Sequence, residues 1–415
     1  HGLGVPADLI PGLVGTSCLG PGYVAPPSSA TDQTNYLIVA HNCDASSGSV
    51  QLKWVAILVG PDGTVRHSAD LSAVFTPPAQ VMIGLHAVVA FDGTNYLVVH
   101  EDDNNPVSSG GANLDALLVS PSGTIVAGPN VAGAAYFNNG LPGDPEALAF
   151  DGSRYLLVYV DNNAVVRPPQ LSGLFISPAT GQPDGVPFTI SQSNDYNHAE
   201  PAVGFDGTNY LVVWVENGSN PPGLSAVRIS KTGTVLDAQP LLIMNSSGAG
   251  TNSSGICCDL EPAVSFDGAN YLVAYKDTRG AAAYSDTGKI SAARVSTAGV
   301  LLDGSASTPG IAVTTATGVH IGRVRSAFFG GTHWLVWDAG SPDSLSASRV
   351  SPSGKAPSVW PDGFPLVPAA AAQGSEQWPA LTATANAGLV TWTHLQPSPS
   401  TATALRAIPI FSPGP

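Results

Sequence analysis

A nine-residue phrase recurs along this chain. Phe91-Asp92-Gly93-Thr94-Asn95-Tyr96-Leu97-Val98-Val99 returns as Phe150-Asp151-Gly152-Ser153-Arg154-Tyr155, then from Phe205 and again from Phe266, with weaker copies around Tyr36, Trp334 and Leu389. Measured between Tyr36, Tyr96, Tyr155, Tyr210, Tyr271, Trp334 and Leu389, the gaps are 60, 59, 55, 61, 63 and 55 residues. Fixed-period self-similarity must be read before any local feature, because it dictates an architecture of stacked or radially arranged units. Seven units at this spacing account for all 415 residues as one domain.

Each unit reads as four short strands. An apolar run such as Pro262 to Phe266 leads into an Asp-Gly turn, a strong hairpin signal, and then into Tyr271 to Tyr275. After a variable loop comes a second hairpin, for example Ile290 to Ser296, a turn at Gly299, and Val300 to Asp303. Its turn recurs at Pro61-Asp62-Gly63, Pro121-Ser122-Gly123, Lys231-Thr232-Gly233 and Pro352-Ser353-Gly354. Four antiparallel strands per unit and seven units in series predict an all-β, seven-bladed β-propeller. The seventh unit ends at Pro415 without a fourth strand, and Gly2 to Ile10 has no other role. The opening segment is therefore expected to complete the last blade and close the ring.

Composition serves this reading. Glycine (46) and proline (36) supply the turns, and 43% hydrophobic residues rule out a disordered chain. A net charge of −15 argues against nucleic acid, whose phosphates call for clustered Lys and Arg. No apolar stretch approaches the roughly 20 residues that span a bilayer. His1 in place of Met predicts a processed chain, and sparse lysines with four cysteines predict a secreted, extracellular or cell-surface protein, the periplasm being a further possibility. Cys18 and Cys43 flank the first hairpin of unit one and are expected to form a disulfide. The adjacent Cys257 and Cys258 are expected to pair with each other.

The Phe-Asp-Gly-x-Asn-Tyr-Leu-Val-Val-Trp phrase resembles the repeat of secreted bacterial seven-bladed β-propeller proteins. That resemblance covers nearly the whole chain and implies the fold, but it brings no catalytic residues, since propellers with similar blades include lectins, glycosidases, lyases and scaffolds. Neither the Ser-x-Asp-x-Gly-x-x-Trp box nor a tryptophan-aspartate repeat is present.

Hairpin geometry places the start of strand one and the end of strand two together. The first set holds His86, Glu146, Glu200, Glu261, Arg323 or Arg325, and Gln377; the second holds Asn42, Asp102, Asp161, Glu216, Asp277, Asp338 and His394. With strand one innermost, both sets surround one acidic mouth of the central channel. Such a mouth suits Ca²⁺, which takes six to eight oxygen ligands, or a glycan, or an extracellular protein. A carboxylate pair there could also hydrolyse a glycosidic bond. A catalytic pair should break the repeat, whereas these acids follow it. The favoured reading is a non-enzymatic binding or structural module. The alternatives are a glycan-active enzyme (glycoside hydrolase or polysaccharide lyase) and a self-assembling filament or surface-layer subunit. Tyr159, Trp214, Tyr275, Trp337 and Trp392 are read as packing between blades, and Trp360 and Trp378 as candidates for exposed stacking.

Overall fold

The computed structural model describes residues 2–3, 6–9, 26–44, 51–71, 87–102, 111–136, 146–161, 170–192, 198–216, 223–245, 260–279, 287–340, 342–359, 361–367, 374–396 and 403–412. Among these every regular element is a strand; there is no helix, and so none long and apolar enough to cross a membrane. The strands form four-stranded antiparallel blades in a β-propeller arrangement.

Unit four shows how the sequence builds a blade. His198–Phe205, Asn209–Glu216, Gly223–Ser230 and Leu241–Asn245 pair antiparallel in chain order. The first turn is set by Asp206, whose Oδ1 accepts the N–H groups of Thr208 (2.7 Å) and Asn209 (2.6 Å). Gly207 at φ 95° supplies the left-handed residue that the turn requires. Asp32, Asp92, Asp151 and Asp267 repeat this arrangement.

The repeated tyrosine acts between units. Tyr155 Oη donates to the carbonyl of Asn95 (3.1 Å) in the preceding unit's turn, and Tyr271 Oη to that of Asn209 (2.8 Å). Tyr96 reaches Asn35 at 3.5 Å, and Tyr36 of unit one reaches Ala387 of unit seven at 3.4 Å. Both faces of the middle strands are apolar because each sheet packs against two others. Leu156, Val158 and Phe175 of unit three share one core cluster with Tyr210, Val212 and Trp214 of unit four. Tyr36, Ile38 and Ile57 share another with Leu389, Leu405 and Ala407 of unit seven. Each such buried side chain contributes about 1.5–3 kcal/mol of apolar burial.

Counted by hydrogen bonds, five sheets stand as single blades, fewer than the seven units of the sequence. The reason lies in units five and six, which merge into one eight-stranded sheet. Among the described residues their strands pair only where Thr287–Ser296 meets Val319–Phe329, through Thr287 opposite His320 and Gly288 opposite Val319. In unit seven, Thr403–Phe411 carries Gly2–Leu3 and Ala7–Asp8 on its outer edge, with Arg406 Nε donating to Asp8 Oδ1 at 2.9 Å. The inner strands Ser28–Thr31, Ala87–Phe91, Glu146–Phe150, His198–Phe205, Ala263–Phe266, Val319–Phe329 and Ser375–Ala383 contact one another in chain order, and the last also contacts the first.

Candidate functional site

The site begins with a distortion that the repeat uses several times. Where the inner strands start, the pairing register shifts between Ala199 and Ala202, between Ile321 and Val324, and between Gln377 and Ala380. Such bulges re-aim side chains and are common beside functional sites. Glu200, Glu261 and Trp378, each followed by proline, adopt φ of 52°, 43° and 54°. A side chain in this left-handed region costs about 1–2 kcal/mol. All three line the cavities described next.

Residues at the starts of the inner strands, from Ser28 to Leu381, line a cavity of about 260 Å³. Its ionisable lining is Glu146, Glu200, Glu261, Arg323 and Arg325. A second cavity of about 170 Å³ adjoins it, sharing Glu261 and Arg323 and adding Lys276, His320, Asp338, Gln377 and Trp378. The two together fall within the range of roughly 300–1,000 Å³ typical of small-molecule sites.

Glu200 Oε2 accepts the backbone N–H of Glu261 (2.7 Å) and of Leu260 (3.2 Å), so this carboxylate ties unit four to unit five. Glu261 Oε2 lies 3.4 Å from Arg323 Nε and 3.5 Å from Arg325 Nη1. Asp338, 3% exposed, accepts the Arg323 N–H at 2.8 Å. A Cβ on Gly322 would run into its Oδ2, so only glycine lets the backbone approach this closely. Burial pushes the Asp338 carboxyl up to about 6, reinforced by the charge of Asp343 and opposed by backbone donors and Arg323. Asp343 accepts from Gln377 Nε2 and Ser375 Oγ (3.1 Å), with His320 Nδ1 at 2.9 Å. The arrangement therefore offers a proton-bearing acid, a carboxylate fixed by two guanidinium groups, and an indole.

Of the other described candidates, Asp161, Glu216, Asp277 and His394 are not brought to the cavities. Asp161 lies 3.5 Å from Gln170 Nε2, and Glu216 Oε2 accepts from Trp214 Nε1 at 2.7 Å. Burial would raise the Asp277 carboxyl, but Arg279, at 2.8 and 2.7 Å, and Ser291 hold it below the usual range. His394 and Arg406 converge on buried Glu376 at 2.9 and 3.1 Å. At the ends of their second strands these acids find local partners, whereas Asp338, at the matching place in unit six, lines the second cavity. Arg323 and Arg325, both named in the first predicted set, stand among the carboxylates of the larger cavity. His86, Cys18, Cys257, Cys258 and Trp360 lie outside the described residues, as do the side chains of Asn42, Cys43 and Asp102. The disulfide expectations fall there. Among the described residues no group of three or more His, Cys, Asp or Glu is placed to hold a metal ion.

Sequence reasoning missed two features. Lys276 and His320 line the second cavity without belonging to either predicted set. Ser265 Oγ also contacts His333 Nδ1 at 2.8 Å and Ser326 Oγ at 2.6 Å, with His333 Nε2 3.5 Å from Asp267. Although it is a Ser-His-Asp array, His333 is fully buried. It occupies the junction of units five and six, where other units place the tyrosine clasp. Its sequence signal was His333 standing where most units have Asn or Arg.

No family model and no curated protein matches the sequence. Among solved structures, the chain is similar to an α-L-arabinofuranosidase from Fusarium graminearum in complex with an iminosugar inhibitor, at 9% identity and TM-score 0.51, covering 98% of this chain and 97% of that one. A point mutant of the same enzyme gives 8% identity, TM-score 0.50 and coverage of 99% and 98%. An acylaminoacyl peptidase from Pyrococcus horikoshii is similar at 8% identity and TM-score 0.46 over 94% of this chain. This chain spans about half (52%) of the peptidase's length. At these identities the likenesses show the fold alone.

Proposed function

We propose that this chain is a glycan-active enzyme of the glycoside hydrolase type, acting at the axial cavity of a closed seven-bladed ring. The observation that carries the reading is Asp338, a buried acid on the cavity wall whose proton is held to about pH 6. A carboxylic acid whose proton is held up to about pH 6, beside a second carboxylate, is the equipment for breaking an acetal in weakly acidic medium. In this role Asp338 donates its proton to the glycosidic oxygen as the bond to the anomeric carbon breaks. Glu261, fixed by Arg323 and Arg325, faces the positive charge that develops on the sugar ring and takes the proton of the attacking water.

Ring closure is supported by the contact of Ser375–Ala383 with Ser28–Thr31, by the Tyr36 clasp onto Ala387, and by the opening strands paired on Thr403–Phe411. The eight-stranded sheet divides into two blades at its two-pair junction. Export belongs to the same proposal, on the strength of the cysteines. Thiol titration of the denatured, unreduced protein should return no free thiol; four free thiols would overturn it.

The test is turnover on a panel of 4-nitrophenyl glycosides and polysaccharides, with arabinofuranosides included because of the shared fold. Wild type should release sugar, and D338N should lose about 10²–10⁴-fold in kcat on poor leaving groups. Wild type inert on the whole panel would overturn the enzyme reading. One observation favours a second reading: Glu200 is engaged in holding unit five, as a structural residue of a non-enzymatic binding module would be. That module would bind a glycan without consuming it.

A further inference from the structure

Outside glycine, four described residues have positive φ. Gln33 belongs to a turn. The other three, Glu200, Glu261 and Trp378, hold one position of the repeat, the residue before proline at the start of an inner strand. Two of them have evident tasks. Glu200 accepts backbone N–H groups of the next unit, and Glu261 pairs with Arg323 and Arg325. Trp378 has an indole where the others have a carboxylate. It is also unlike Trp54, Trp214, Trp334, Trp337 and Trp392, which are buried in the packing between sheets. Trp378 is only partly buried, and it lines the 170 Å³ cavity with Asp338 and Glu261. Backbone strain that persists at a cavity, on an indole that cannot do the carboxylates' task of tying units together, points to a role for that side chain in the cavity.

We infer that Trp378 is the platform on which a neutral sugar ring stacks, in position for Asp338 and Glu261. The inference rests on the glycan-active reading and deepens it. A sugar presents an apolar C–H face to an indole and hydroxyl groups to a polar rim. Both kinds of surface are present, the rim formed by Gln377, His320 and Arg323. The substrate is neutral because the lining of the two adjoining cavities leaves no surplus positive charge: Glu146, Glu200 and Glu261 stand against Arg323, Arg325 and Lys276. Glu261 sits with two arginines, and Asp343 behind the wall sits with His320 at 2.9 Å. A uronate would bring a negative charge for which these pairs would have to open.

The test uses the full chain and 4-nitrophenyl glycosides of neutral sugars beside the matching glucuronide. W378A should raise KM on the neutral substrate roughly tenfold while kcat stays near wild type, the pattern of lost ground-state and transition-state binding together. W378F should recover most of the loss. W378G, which relieves the positive φ, should be at least as resistant to urea as wild type and still show the raised KM, separating stacking from folding. An unchanged KM in W378A and W378G, with wild type active, would overturn the platform while leaving the enzyme reading intact. A wild type that prefers the glucuronide would overturn the neutral-sugar assignment. A wild type that neither binds nor cleaves any probe would overturn both readings.

Discussion

Replacing Asp338 with asparagine separates stability from activity, and the structure sets both signs. The Asp338 carboxyl rises from 3.8 to about 6 on folding. Two pKa units at about 1.36 kcal/mol each amount to about 3 kcal/mol of disfavoured charge. Because the folded chain holds the proton more tightly than the unfolded one, stability declines as pH rises from about 4 to 6 and the full penalty stands above that. The asparagine side chain of D338N is neutral at every pH and keeps an oxygen for the Arg323 N–H. D338N should therefore exceed wild type by about 3 kcal/mol at pH 8, worth about 3 °C in Tm for a chain of this length. The difference should shrink toward zero by pH 4. Urea unfolding at pH 4, 6 and 8 with a shared m-value measures it. A D338N protein less stable than wild type at pH 8, or a difference independent of pH, would refute the reasoning. Either result would mean that the ionised carboxylate is stabilised in place.

Three other substitutions test the fold. Tyr271→Phe removes a 2.8 Å bond between units and Tyr96→Phe a 3.5 Å one. Urea denaturation should show a loss of about 1 kcal/mol for the first and much less for the second; equal losses would count against the clasp. Asp277 is held below the usual range by Arg279 against burial, so it stabilises the fold above the unfolded pKa near 4, and this contribution is lost as the medium becomes acid. D277N should be clearly destabilised at pH 7 and indistinguishable from wild type near pH 2, by the same denaturation assay.

The blades were legible because their determinants are local. Asp206 and Gly207 close a turn within four residues, and the following tyrosine repeats the signal in unit after unit. Glu200 and Glu261 could be placed at the axis from hairpin geometry alone. Trp378 could not be placed in the same way, since its direction comes from a bulge and a left-handed φ, of which the sequence shows only the proline that follows. The acidity of Asp338 was hidden too. It depends on burial beside Arg323 and Gly322, supplied by a neighbouring strand, and not on any motif around residue 338. Asp161, Glu216 and Asp277 follow the repeat but bond to partners away from the cavity, whereas Asp338 at the matching position lines it, a difference the repeat does not show.

The most direct test of the central claim is the pH dependence of kcat on an unactivated glycoside. With Asp338 as proton donor, the wild-type rate should fall tenfold per unit as pH rises beyond about 6, and that limb should vanish in D338N. A wild-type rate that holds constant from pH 5 to 8, or a D338N enzyme with the same falling limb, would contradict it.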